Sequence, residues 1–315
     1  MNEKNLAAVI KPKTEWDIRK KYIVKHWQLY LLVLPPIIWI IIFRYVPLFG
    51  IQIAFRDYTF VGGITGSPWV GLTHFRALFG THQFNRLLVN TLALSVYSIA
   101  AGFIPPILLA LGLNYCRMKY FGKTVQMVTY MPYFISGVLI VGMMNQLLAL
   151  NGPVNQVLTS MGFDRMFFMG DPGLFRSVFV WSGVWQNNGY NAIIYLAALA
   201  AVNPELYEAA TVDGASAVRR IWHIDLPSLL PTATILFILA FGNIMSVGAE
   251  RVLLMQNTMN ISTSDVFSTF VFRIGLLHMQ FSFTTAVGLF ESVVSVFLLL
   301  AVNAFSRKVS ETSLW

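Results

Sequence analysis

The chain has 315 residues, of which 56% are hydrophobic and only 11% charged. Soluble domains carry about a quarter charged residues, so this composition excludes an ordinary soluble enzyme or binding module and points to a bilayer. The formal charge is +8, but seven of the 22 Lys and Arg precede residue 28, in a tail leading into an apolar run; that placement is a topological signal, and no nucleic-acid partner is expected. The single cysteine, Cys116, excludes an intramolecular disulfide and a cysteine-rich metal site, and no metal is expected.

Residues 1–28 form a basic tail with Arg19, Lys20, Lys21 and Lys25 clustered at its end. The apolar run from Leu29 has no small-residue cleavage site near its close and is interrupted by Arg44 and Pro47. It is therefore expected to stay as a membrane span and not to act as a signal peptide. A crossing helix needs about 20 mostly apolar residues. Six stretches qualify: 29–53, 87–113, 125–149, 175–201, 232–250 and 283–305. The fold class is thus all-α, a polytopic membrane protein with six transmembrane helices. Its membrane domain covers 29–306, and a short tail covers 307–315.

Between the spans, one set of connections is long: 54–86, 150–174 and 251–282. Gly62, Gly63, Gly66 and Pro68 mark turns in the first. The last mixes Asn257, Asn260 and Ser262 with Val266, Phe267 and Phe270, the pattern of a partly buried loop helix. With the N-terminus inside, 14 of the 22 basic residues lie in cytoplasmic segments: the tail, Arg117, Lys119, Lys123, Arg219, Arg220, Arg307 and Lys308. Every lysine is among them, and the remaining eight residues are all arginines. The positive-inside rule then puts both termini in the cytoplasm, and with them the loop 203–231.

That loop is the most informative stretch of the chain. Asn203-Pro204-Glu205 is a helix start: a capping side chain, proline at the first helical position and an acid where the helix dipole favours one. The helix should run to about Val212 and end in a left-handed turn at Gly214. A second short helix follows from Ala215, with Val218, Ile221 and Trp222 on one side and Arg219, Arg220 and His223 as its polar part. Pro227 disfavours helical geometry at Leu226, and Pro231 would begin the next span. The product is a cytoplasmic helix-turn-helix held at the membrane face, either mere structure or a docking lever.

Glu208-Ala209-Ala210, then Asp213-Gly214-Ala215, then Ile224-x-Leu226-Pro227 and Pro231, in this order and spacing, resembles the coupling loop of ABC-importer permeases. Trp69-Val70-Gly71-Leu72 with Phe75, Tyr45-x-Pro47-x-x-Gly50 and the basic tail are similar to the oligosaccharide/polysaccharide-type branch of the maltose-like sugar permeases. Aromatic anchoring at the interface is the plainer reading of the Trp69 segment. The family often has phenylalanine where this chain has Ile221, a difference confined to one packing contact. The resemblance implies a permease subunit in a bacterial cytoplasmic (inner) membrane that moves an oligosaccharide by alternating access. It implies that Glu208 and Ala209 insert into a groove on an ATPase, that Gly214 provides the bend, and that Ile224 to Pro227 return the chain to the membrane. It also implies a second, different permease forming a heterodimer, two ATPase subunits, an external solute-binding protein, and ATP with Mg held by the ATPase. This chain itself has no Gly-x-x-x-x-Gly-Lys-Ser/Thr phosphate loop and needs no cofactor.

Candidate substrate-path residues come from polar groups within spans. Trp181, Trp185 and Asn188 fall on one helical face, beside Gln186, Asn187 and Asn191. Amides in lipid are costly, so they face protein or water, either bonding between helices or binding sugar hydroxyls. Glu291 lies well inside the sixth span and either pairs across a helix interface or lines the path. Arg44 either snorkels to the outer interface or meets an anionic sugar. Asn243 and Asn145 are similar, weaker cases. Two other function classes compete. An intramembrane enzyme finds no support: His26, His74, His82, His223 and His278 are scattered, with no His-Glu-x-x-His or nucleophile-elbow motif. A self-sufficient secondary transporter of a small polar solute leaves the 203–231 motif without a role.

Overall fold

The computed structural model describes residues 15–310 and residue 313; Lys4, Lys11 and Lys13 of the basic tail lie outside them. The described residues are helical, with one isolated antiparallel bridge between Arg56 and Trp69. After α1 (Glu15–Lys25), α2 (Trp27–Ile40) runs on through a π-turn, Ile41–Tyr45, and a 3-10 stretch, Val46–Phe55. Arg44 sits in that π-turn, exposed. Short helices α3 (Gly63–Gly66) and α4 (Thr73–Gly80) lead to α5 (Phe84–Asn114). Then come α6 (Lys119–Tyr130), α7 (Gly137–Leu147), α8 (Pro153–Ser160), α9 (Pro172–Ala200) and α10 (Pro204–Val212). A final set comprises α11 (Ala217–Arg220), α12 (Leu226–Gly242), α13 (Ala249–Met255), α14 (Ile261–Ser264), α15 (Phe267–Val271) and α16 (Phe281–Ser310).

Four helical runs are long and apolar enough to cross a membrane: Trp27–Phe55, Phe84–Asn114, Ala217–Gly242 and Phe281–Lys308. The expected third span, 125–149, is not one straight helix. Lys119–Phe134 and Gly137–Leu147 meet at 101° and count as a fifth crossing only if taken together. The bend has local causes: Pro132 lies in the 3-10 turn Met131–Phe134, and Ser136 starts a new helix by accepting from the Leu139 N–H at 3.4 Å. Helix α9 has the length, 29 residues, but its Gln186-Asn187-Asn188 stretch keeps it out of the apolar set.

The largest departure concerns the fifth span, expected at 232–250. The helix begins at Ala217 and ends at Gly242, so α11, a π-turn over Ile221–Asp225 and α12 form one run. Leu226 is helical (φ −59°, ψ −46°) despite preceding a proline. The wide turn just before Pro227 accommodates the proline ring and its missing N–H, which a regular α-turn would not. Pro231 accordingly lies inside α12 instead of starting it.

Helices α5, α9 and α12 pack together through small residues, Ala110, Ala192 and Ala233, all nearly inaccessible. Small side chains let helix backbones approach where lipid supplies no hydrophobic drive. At the opposite ends of α5 and α9, the loop 249–271 folds inward as expected, burying Val266, Phe267 and Phe270. Fully buried Asp265 fastens it, accepting from Arg86 at 3.1 Å and from Arg273 at 3.0 Å, while the Asn90 amide donates to the Asp265 carbonyl at 3.0 Å. Asp265→Asn leaves two guanidinium groups facing a neutral amide. It should cost about 3 kcal/mol, the low end for a broken buried ion pair, because both arginines are partly open to solvent. The midpoint of thermal unfolding of the detergent-purified protein reads this loss; an unchanged midpoint would contradict it.

Candidate functional site

The residues of the 203–231 motif assemble into a stiff, exposed hairpin. Asn203 Oδ1 accepts from the Glu205 N–H at 3.0 Å and caps α10, as the sequence anticipates. At the other end, Gly214 has φ +70°. Its N–H donates to the Thr211 carbonyl at 3.1 Å, and the Ala215 N–H donates to the Ala210 carbonyl at 2.8 Å. This pair of bonds is the Schellman closure that needs a left-handed residue, which glycine adopts without steric cost. Ser216 then accepts from the Arg219 N–H at 3.4 Å and opens the next helix. Glu208, Ala209, Asp213 and Gly214 all face outward, while Ala210 and Ala215 are half-buried. Apolar Val212 is 88% exposed and Trp222 65% exposed, with Val218 beside them in the same hairpin.

A brace not anticipated from sequence joins the hairpin to the spans. Asp225 is completely buried and accepts from Tyr207 Oη of α10 at 2.5 Å and from Tyr115 Oη, just past α5, at 2.7 Å. Burial, and then the bond to Asp225, push the Tyr115 phenol up to about 12; the Tyr207 phenol is raised for the same two reasons. Both phenols therefore stay protonated and donating at ordinary pH. Ile224, Leu226 and Pro227 flank this carboxylate, so the latter half of the motif surrounds the joint between hairpin and membrane helix. The one signal for the brace was Asp225 itself, an acid set between Ile224 and Leu226 in an otherwise apolar approach to the membrane.

The run Ala217–Gly242, which contains that joint, is roughly 40 Å long at about 1.5 Å per residue and ends beside a polar cavity of about 320 Å³. Asn187, Asn188, Asn191, Asn243, Ser98 and Arg251 line it. A second cavity of about 410 Å³ shares Ser98, Gly102, Asn191 and Asn243 and continues along α5, α9 and α12 to Tyr195 and Pro106, toward the hairpin. Asn187 Nδ2 donates to the Gly183 carbonyl at 2.8 Å, and Asn243 Nδ2 to the Leu239 carbonyl at 3.1 Å. Asn188 Oδ1, Ser98 Oγ and Arg251 Nε are buried without a hydrogen-bond partner. Three unsatisfied polar atoms on one cavity make it a place prepared for something polar.

The structure thus brings Asn187, Asn188 and Asn243 to one cavity. It does not bring Trp181, Trp185 or Arg44 there: Trp181 and Trp185 are 54% and 53% exposed, and Trp181 Nε1 donates to Tyr97 Oη at 3.0 Å. Glu291 lines a separate cleft with Gly242, Ser246 and Gly288, touching the first cavity only through Ser246. Gln186 donates to the Ile135 carbonyl at 3.0 Å and ties α9 to the bend between α6 and α7. Asn145 is exposed on α7. Arg251 escaped the sequence reading because nothing local shows that the loop helix α13, on which it stands, folds in against the cavity. Asn191, read from sequence with the other amides of this helix but not among the chosen path residues, stands four residues beyond Asn187 on the same face of α9 and lines the cavity as well.

An all-α chain with several lipid-length helices, a polar cavity among them and a rigid surface hairpin joined to one of them is a membrane transport subunit. Residues 107–311 match the family described as "Binding-protein-dependent transport system inner membrane component", and the chain belongs to that family. It is 40% identical over 301 residues to the polygalacturonan/rhamnogalacturonan transport system permease protein YteP of Bacillus subtilis (strain 168), covering 94% of each chain. Protein LplB of the same organism is 38% identical over 288 residues, with 91% of each chain covered. Among solved structures, one chain of a bacterial alginate ABC transporter in complex with an alginate pentasaccharide-bound periplasmic protein superposes with a TM-score of 0.85. That match is at 39% identity and covers 93% of this chain and 99% of that one. A chain of a bacterial ABC transporter involved in the import of the acidic polysaccharide alginate gives 0.84 at 40% identity, covering 92% and 98%. The chain is a multi-pass permease subunit of an ABC importer, and ATP hydrolysis belongs to its partner.

Proposed function

We propose that this chain forms one half of the pathway through which an oligosaccharide enters a bacterial cell, with six crossings and both termini in the cytoplasm. The bent α6–α7 unit and the polar helix α9 supply the third and fourth crossings. A second, different permease completes the pathway, and an external solute-binding protein delivers the sugar. Two ATPase subunits, holding ATP and Mg, grip the hairpins. Closure of the ATPases on ATP draws the hairpins together and opens the cavity outward; hydrolysis resets it.

The observation that carries this reading is the single helix Ala217–Gly242, with the hairpin at one end and the cavity at the other. A displacement of the hairpin reaches Asn243 through an uninterrupted rod, which a flexible linker would not transmit. The exposed apolar residues Val212, Val218 and Trp222 beside Glu208 and Asp213 suit a protein partner better than water. The sugar-transport names of the relatives and the amide-lined cavity support an oligosaccharide cargo. The test is to purify the chain with its partners and measure ATP hydrolysis with and without sugar and binding protein. The reading expects hydrolysis to rise with both and uptake to require the ATPase. Uptake by this chain without any ATPase would instead make it a secondary transporter.

A further inference from the structure

Arg251 is a half-buried cation with no acidic partner among the groups it touches. Its Nη2 donates to Ser182 Oγ, its guanidinium lies over the Phe179 ring at 5.1 Å from the ring centre, and its buried Nε has no acceptor. No Asp or Glu lines the cavity it faces. Neighbouring Glu250 is turned away, with Oε1 close to Gly137 of α7. Arg86 and Arg273, by contrast, share the carboxylate of Asp265. A guanidinium held by one hydroxyl and one ring, in a recess among membrane helices, is costly unless an anion joins it.

Cargo is the anion source that a transport cavity admits. The planar fork of a guanidinium matches the two oxygens of a carboxylate, and Arg251 Nε is a donor still without an acceptor. Around it, Asn188 Oδ1 and Ser98 Oγ are unpartnered, and hydroxyl groups would satisfy both. One carboxylate site ringed by hydroxyl sites is the chemistry of a uronic acid. We propose that the cavity bounded by α5, α9, α12 and α13 is a uronate subsite, with Arg251 as its carboxylate-binding residue, so that the permease selects acidic over neutral oligosaccharides. This rests on the oligosaccharide-import reading above. Ser182 and Gly183 act as positioning residues: Ser182 holds Nη2, and a Cβ at Gly183 would stand 2.9 Å from Arg251 Nη1.

The test uses the assembled transporter in detergent without its external binding protein, so that selectivity belongs to the membrane cavity. Binding of trigalacturonate, its fully methyl-esterified form and maltotriose is measured by equilibrium dialysis. The wild type should bind the free acid about 10- to 100-fold more tightly than the ester, the range for a hydrogen-bonded ion pair. That preference should vanish in Arg251→Gln and survive in part in Arg251→Lys. Gly183→Ala, which keeps the charge and displaces it, should reduce the preference, and it decides the matter if Arg251→Gln does not assemble. Equal binding of acid and ester by the wild type overturns the proposal, as does a preference that persists in both Arg251→Gln and Gly183→Ala. Binding of maltotriose without trigalacturonate overturns it while leaving oligosaccharide import intact. Binding of none of the three overturns the uronate subsite, and the import reading then stands or falls by the ATP-hydrolysis test above.

Discussion

Replacing Gly214 by valine should reduce sugar uptake about tenfold while the protein still inserts and assembles. A Cβ at this position meets nothing within 4 Å, so the substitution is not a clash with neighbouring groups. The cost is in the backbone: φ is +70°, where an L-residue loses about 1–2 kcal/mol, and a β-branched one more. That is enough to shift the turn out of the Schellman closure, rotate α10 relative to α11 and misdirect Glu208 and Ala209. Gly214→Asn is the control, since asparagine tolerates the left-handed region, and it should stay close to wild type. The measurement is uptake per ATP hydrolysed in proteoliposomes. Equal ratios for valine, asparagine and glycine would show that the turn geometry does not matter for coupling.

Asp225→Ala should be nearly as damaging, for a different reason. It leaves the Tyr115 and Tyr207 hydroxyls without the acceptor that their partial burial requires, at about 1–3 kcal/mol each. The hairpin would remain folded but come loose from α5 and from the π-turn. ATP hydrolysis should then continue while uptake falls by about tenfold or more. Asp225→Asn keeps an acceptor oxygen and should lie between. The pH dependence follows from the same bonds. Tyr115 has a folded-state pKa raised from 10.0 to about 12, so its contribution is complete below pH 10 and is lost as pH rises through 12. Tyr207, also raised, acts in the same direction. Coupling should therefore be insensitive to these phenols near neutrality. A loss of the brace below pH 9, seen as tyrosinate absorbance that disappears in Tyr115→Phe, would contradict the assignment.

The parts of this fold governed by local rules were readable from residues alone. The Asn203 cap, the α10 end at Val212 and the Gly214 turn follow from capping and glycine chemistry, and they stand where the sequence put them. Long apolar runs likewise gave the first, second and sixth spans. What escaped depends on contacts between distant segments. Nothing local says that Pro227 will sit within a continuous helix, because the π-turn that permits it is stabilised by Asp225 bonding to Tyr115 and Tyr207. Nor does anything local say that the loop after that helix folds inward and carries Arg251, the one cation lining the cavity, to its wall. The amides of α9 were visible as polar groups in an apolar setting. Their division between the cavity, for Asn187 and Asn188, and a structural bond, for Gln186, needed the packing of α9 against α5 and the α6–α7 bend.

The central claim is that this hairpin receives the motion of an ATPase. Because Cys116 is the only cysteine, a Cys116→Ser background accepts Ala209→Cys as a unique, exposed cross-linking position on the hairpin. Short-span cross-linking in the assembled transporter should join residue 209 to the ATPase, with a yield that changes when ATP is added. A position 209 that cross-links to no nucleotide-hydrolysing subunit, or that an impermeant thiol reagent labels from outside intact cells, would contradict the account.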